Sequence, residues 1–175
     1  AASPDPRSFF VTFQYSFAKL PAEPMRPRLA DERVGHFVTS REDFTEDTSP
    51  KERTHYVSRW RLEKKDPAAA VSPPKEPITF WVDRNVPEKY RQAVTEGILE
   101  WNKAFEKAGF RNAIVVKQQT DKDDFDTMDA RHASVRWFTG ADEGFAIGPS
   151  HKDPRTGEIL DADIATGYGF TRGPR

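Results

Sequence analysis

The stretch ITFWVDRNVPEKYRQAVTEGILEWNKAFEKAGFRNAIVVK, residues 78–117, decides the fold. Its first five residues, Ile78–Val82, are a compact apolar run of strand length. Asn85 then reads as an N-cap, with Glu88 three residues on closing a capping box and Pro87 in the first turn. Tyr90, Val94, Ile98, Trp101, Phe105 and Ala108 follow at spacings of 4, 4, 3, 4 and 3, which puts them on one helix face. Gly109 stands where a left-handed C′ residue belongs, and Phe110 is placed to touch Phe105 in a Schellman-type end. Residues 113–117 (AIVVK) are the next strand. A strand–helix–strand unit of this kind pairs its two strands in parallel.

Downstream, residues 121–129 (DKDDFDTMD) form an acidic loop and residues 134–138 (SVRWF) a further strand. Residues 145–147 and 158–164 flank the turn-rich HKDPRTG of residues 151–157. Pro154 after Asp153, with Gly157 at the far side, fits a hairpin built on a type I turn and a positive-φ glycine.

Upstream, residues 8–17 alternate, with Phe9, Val11, Phe13, Tyr15 and Phe17 on one face. That is the mark of a half-buried strand. Residues 53–62 and 34–39 are two further strand candidates, and three strands without a helix suggest antiparallel pairing. Most of the 14 prolines lie at or before Pro77, and KDPAAAVSPPKEP, residues 65–77, reads as an extended connector. The organisation expected is a β-rich segment 1–65, a Pro-rich connector 66–77 and a β-α-β-β-plus-hairpin unit 78–175. The fold class is α+β: a mixed twisted sheet backed by one long helix, with a β-rich, Pro-rich N-terminal extension.

Lysine and arginine number 27 against 28 aspartates and glutamates. A net charge of −1 argues against a protein that coats nucleic acid. Aromatics at 12% argue against a disordered chain. No apolar run is long enough to predict a transmembrane segment, and no signal-peptide pattern is visible. The absence of cysteine rules out disulfides, Cys–zinc sites and thiol nucleophiles together.

The residues declare no catalytic mechanism. His36, His55, His132 and His151 include no i,i+4 pair, and none opens an H-E-x-x-H. They read as solvated or hydrogen-bonded histidines. Asp121, Asp123, Asp124, Asp126 and Asp129 miss the calcium-loop spacing from either start, so a solvated loop is favoured. Arg26 and Arg28 either clamp a carboxylate or sit in a solvated turn. No P-loop, G-x-S-x-G or G-x-G-x-x-G occurs.

Three places carry a resemblance. PITFWVDRNVPEKYRQAVTEGILEWNKAFEKAGF, residues 77–110, resembles the first strand and first long helix of metzincin-type zinc metallopeptidases. GPSHKDPRTGEILDADI, residues 148–164, is similar to their edge-strand region and the strand after it. PMRPRLADERVGHF (24–37) and YVSRWRLEKKDP (56–67) are similar to the segment ahead of the protease domain in a family of large bacterial secreted zinc-dependent metallopeptidases. In those proteins, domains of unknown function precede a metzincin-like domain.

The resemblance implies a partial chain of a zinc-dependent metallopeptidase, a hydrolase whose parent protein is secreted or periplasmic. The zinc cofactor belongs to the parent, and its ligands are not in this chain. No catalytic residue and no metal ligand is carried over, and the segment alone is expected to be inactive. One role does carry over: the edge strand that holds the peptide or protein substrate, on Gly144, Phe145, Ala146, Ile147, Gly148, Pro149 and Ser150. Its physics is β-augmentation, in which exposed N–H and C=O groups pair with a peptide backbone. The alternatives are a stand-alone, non-catalytic binding domain and, more remotely, a calcium-binding acidic loop.

Overall fold

The computed structural model of the chain describes residues 7–8, 10–45, 48, 53–139, 146–167 and 169. Strand β1 (Val38–Arg41) pairs antiparallel with β2 (Thr54–Val57) in a two-stranded ribbon. The main sheet contains β3 (Ile78–Val82), β4 (Ile114–Gln118), β5 (Ser134–Phe138), β6 (Ala146–Ile147), β7 (Ser150–Lys152) and β8 (Ile159–Gly167). Its order is β4-β3-β5-β8-β6, with β7 also paired to β8. The pairs β3–β4, β3–β5 and β5–β8 are parallel, whereas β6 and β7 run antiparallel to β8. The fold is therefore α+β, with a mixed sheet backed on one side by helix α1 (Glu88–Leu99) and its continuation α2 (Asn102–Lys107).

Alternation along the strands divides the sheet into two faces. Ile78, Phe80, Ile114, Ala133 and Val135 are buried, with Val94, Ile98 and Phe105 of the helices packed on them. Val82, Val86 and Trp137 continue this core, and Tyr90 stacks on Trp137 with ring centroids 5.2 Å apart. Trp60 and Leu62 reach the same core from upstream, Trp60 meeting Phe80 edge-on at 6.2 Å.

The helix differs from its expected form at both its start and its middle. Pro87 is the N-cap, and no side chain caps the helix. The Asn85 N–H is instead held by Asp83 Oδ1 at 2.8 Å, so a local Asx turn outcompetes the capping box. Between α1 and α2 the Trp101 N–H reaches Ile98 O, a tighter i→i−3 turn. That turn leaves Trp101 64% exposed, against the sequence expectation. Asn102 takes the sheet-facing position, where its amide bonds both Ile114 N and Ile114 O. The end of the helix is as read. Gly109 has φ +89°, Gly109 N bonds Glu106 O and Phe110 N bonds Phe105 O, the two bonds of a Schellman motif.

The N-terminal strand expectation fails for the described part of residues 8–17. Residues 10–20 form no strand and make no backbone–backbone hydrogen bond among the described residues. The i,i+2 alternation survives as an extended chain: Phe13, Tyr15 and Phe17 follow one another at 6.5 Å, all exposed. The residues adopt strand geometry, but among the described residues no neighbouring strand pairs with them.

Residues 65–77 are not an extended connector. Lys65 N bonds Pro73 O and Lys75 N bonds Glu63 O, while Ser72 exchanges backbone bonds with Gly109 and Arg111. Lys64 Nζ closes the loop on Ala69 O and Ala70 O. The prolines bend the segment back onto the helix end rather than stretching it. Gly109 is required there, since a Cβ would stand 3.0 Å from Ala70 O.

Candidate functional site

Strand β8 has two kinds of neighbour. On one side it pairs with β5. On the other, β6 and β7 follow one another in a shared antiparallel register: Ala146 faces Thr166, Ile147 faces Ala165 and Ser150 faces Ala162, with Asp163 N bonding Pro149 O between them. This is the ribbon on which the resemblance implies substrate binding. Gly144 and Phe145 lie outside the described residues. Ala146 and Ile147 are exposed at the terminal position of the sheet, and Gly148 and Pro149 are exposed beside them. Ser150 is half-buried. Pro149 has no N–H to offer and marks the break between β6 and β7.

The hairpin that presents this ribbon is anchored through Asp153. Its side chain is fully buried and accepts bonds from Arg155 N, Nε and Nη2 at 2.9, 3.0 and 2.7 Å. The hydrogen-bonded Arg155 guanidinium holds the Asp153 carboxyl below its usual range. Arg155 Nη2 also reaches Pro21 O at 2.8 Å, tying the upstream segment to the turn. Gly157 closes the turn at φ +76°, where a Cβ would meet Val57 O at 2.8 Å. Beside it Arg61 forks onto Glu158, with both N–O distances 2.7 Å, and Arg59 and Glu158 form a parallel bridge.

The face of the sheet away from the helices is covered unevenly. Over β3 and β4 the acidic loop packs down. Phe125 meets Trp81 at 5.0 Å and stacks on His132 at 4.0 Å, while buried Gln119 donates to Phe125 O. Over β5 and β8 there is a groove of about 560 Å³. Its floor comes from Arg136, Phe138, Asp163 and Ala165, one side from Pro149, His151 and Lys152, and the opposite wall from Gln14, Ser16, Ala18 and Leu20. Ser16 Oγ accepts the Ala130 N–H at 2.9 Å and so pins that wall to the loop ahead of β5.

Polar groups in the groove are only partly satisfied. Ser134 Oγ donates to Asp163 Oδ1 at 2.5 Å, yet burial still pushes the Asp163 carboxyl up. His151 Nδ1 lies 3.2 Å from Oδ2 of buried Asp161, whose Oδ1 has no hydrogen-bond partner among the described residues. Arg136 Nε is buried and equally without a partner among them, and its guanidinium lies 5.3 Å from the centre of the Phe138 ring.

Among the described residues no three of His, Cys, Asp and Glu gather to hold a metal. His55 is engaged with Ser40, His132 with Phe125 and His151 with Asp161. The acidic-loop carboxylates turn on their neighbours in the chain: Asp123 accepts from Thr120, Asp126 from Met128 N, and Asp129 pairs with Arg131, which holds its carboxyl down at about 2. Arg26 and Arg28 have exposed side chains, and it is their backbone carbonyls that serve the fold, accepting from Arg59 Nη2 and Val57 N.

The sequence reading missed the groove. Its signal was present. Ser134, Arg136 and Phe138 alternate with Val135 and Trp137, and Asp161 and Asp163 alternate with Ala162 and Ile164. Two neighbouring strands therefore carry a polar stripe on the same face.

A family model described as a domain of unknown function, DUF5117, matches residues 2–65. The match contains the groove wall at residues 14–20 but none of the main sheet. No curated protein and no solved structure matches the chain. No helix among the described residues is long and apolar enough to cross a membrane.

Proposed function

We propose that this chain is the peptide-gripping part of a zinc-dependent metallopeptidase. In this reading it contributes the sheet, the backing helix and the substrate-binding edge strand, and the zinc ligands belong to sequence outside it. The observation that carries the reading is the exposed antiparallel ribbon of Ala146 and Ile147, standing last among the described strands of a sheet whose β3–β4, β3–β5 and β5–β8 pairings are parallel. An extended peptide that pairs there binds mainly through its backbone, so affinity comes with little dependence on side chains. That suits a protein that handles many sequences. The residues in hand orient a substrate and perform no chemical step on it.

The test uses the 175-residue chain and an unlabelled, neutral eight-residue peptide of alternating Val and Thr. Amide NMR shifts on titration are expected at Ala146, Ile147 and Gly148, and Ala146→Pro should remove them by deleting one outward-facing donor. Casein hydrolysis should be absent with or without added zinc. Peptide-induced shifts that avoid the ribbon, or chelator-sensitive hydrolysis by this chain, would overturn the reading. The same edge would serve a stand-alone binding module equally well. Reading the coding frame after Arg175 separates the two, because an H-E-x-x-H helix there belongs only to the peptidase.

A further inference from the structure

The groove on the helix-free face has one wall of an unusual kind. Residues 14–20 run extended past the sheet with even-numbered side chains lining the groove and the aromatic row of Phe13, Tyr15 and Phe17 turned away from it. Their backbone N–H and C=O groups make no hydrogen bond among the described residues. An extended backbone with unpaired donors and acceptors along a groove is a template for another strand. The groove's volume is in the range of ligand sites, and its apolar lining (Leu20, Met128, Leu160) is interrupted by a few polar groups.

Charge then selects the occupant. Arg136, Lys152 and His151 line the groove against a single lining carboxylate, Asp163. Asp163 accepts from Ser134 Oγ, and burial raises its carboxyl although the nearby Arg136 guanidinium favours the ionised form. Asp161, behind His151, faces that imidazole. Arg136 keeps a buried Nε–H without an acceptor among the described residues. A guanidinium in that state is matched by a carboxylate, which accepts from two of its N–H groups at once.

We propose that this groove is a second peptide site, adjoining the edge ribbon at Pro149, which takes an extended segment by pairing with the backbone of residues 14–18 and reads an acidic side chain through Arg136. The DUF5117-matched segment thereby supplies one wall of a composite site whose floor is the sheet.

Fluorescence anisotropy of the 175-residue chain with two labelled, amidated nonapeptides tests this. Both alternate Val and Thr; one carries a central Glu and the other a central Gln. The Glu peptide should bind about tenfold more tightly at low salt, the value of one charge-assisted contact. Arg136→Met should erase that ratio. Gln14→Pro, in an exposed segment outside the core, should weaken both peptides alike by removing a backbone donor. Ala146→Pro should leave the ratio untouched, and amide shifts from the Glu peptide should fall on residues 14–18. Equal affinity for the two peptides, a ratio that survives Arg136→Met, or shifts confined to residues 146–150 would overturn the proposal. The last result would leave the edge-ribbon reading standing, and loss of the ribbon shifts alone would leave this one standing.

Discussion

Residues 10–18 and strand β3 are both extended, and each carries a row of large apolar side chains at every second position. Their situations are opposite. Strand β3 has β4 on one side and β5 on the other, and its Ile78, Phe80 and Val82 are buried beneath the helix. Phe13, Tyr15 and Phe17 are 71%, 74% and 88% exposed, and the backbone beneath them pairs with nothing among the described residues. An alternating pattern sets which way side chains point, which is a local matter. Whether the row is buried depends on a second surface far away in the chain, and the helix face of residues 90–105 is that surface for β3 alone.

The comparison can be broken most directly by truncating one ring from each row. Phe80→Ala removes a buried ring packed on Trp60 and should destabilise the chain by about 3–5 kcal/mol. Tyr15→Ala removes a ring already in water and should stay within about 0.5 kcal/mol. Urea denaturation followed by tryptophan fluorescence measures both. A large loss from Tyr15→Ala would mean that the upstream row is covered in solution, and the contrast drawn above would fail.

A smaller effect is expected where the two regions are joined. The upstream segment is held less by apolar packing than by polar anchors: Arg155 to Pro21 O, Arg61 to Glu23 O and Ala130 N to Ser16 Oγ. Asp153 orients the first of these. Asp153→Ala strips a buried acceptor of three Arg155 donors and should cost about 2–3 kcal/mol. Limited proteolysis should then cut residues 16–24 sooner than the sheet. Unchanged protection of that segment would show that its hold on the sheet does not run through Arg155.

How much of this was legible depends on how local each signal was. Strand β3, the helix end at Gly109 and the Asp153–Gly157 turn were readable because each rests on residues within one or two turns of one another, and the parallel partner β4 because a strand–helix–strand unit pairs its strands that way. Three things were not. Asp83 competes for the N–H of Asn85, and the tightened turn at Trp101 moves Asn102 inward to clamp Ile114, a residue twelve positions away. The alternation in residues 8–17 named a strand without being able to name its partner. The groove needed two polar stripes, each visible by itself in the sequence, to be brought side by side by the β5–β8 pairing and then walled by residues 14–20.

The smallest predicted effect probes that wall. Asp163 is half-buried on the groove floor, and burial raises its carboxyl above the ordinary value of 3.8. A raised value in the folded state means that folding favours the protonated form. The resulting stability is fully present below the unfolded value and is lost as pH rises through the folded one. Asp163→Asn cannot ionise, so its Tm relative to the native chain should climb from about pH 4 upward and level off once Asp163 is fully ionised. Thermal melts between pH 3.5 and 7 read this directly. A Tm difference that stays flat with pH in the native background would place Asp163 in water, and the groove would then lack the cover on which its selectivity for a carboxylate at Arg136 depends.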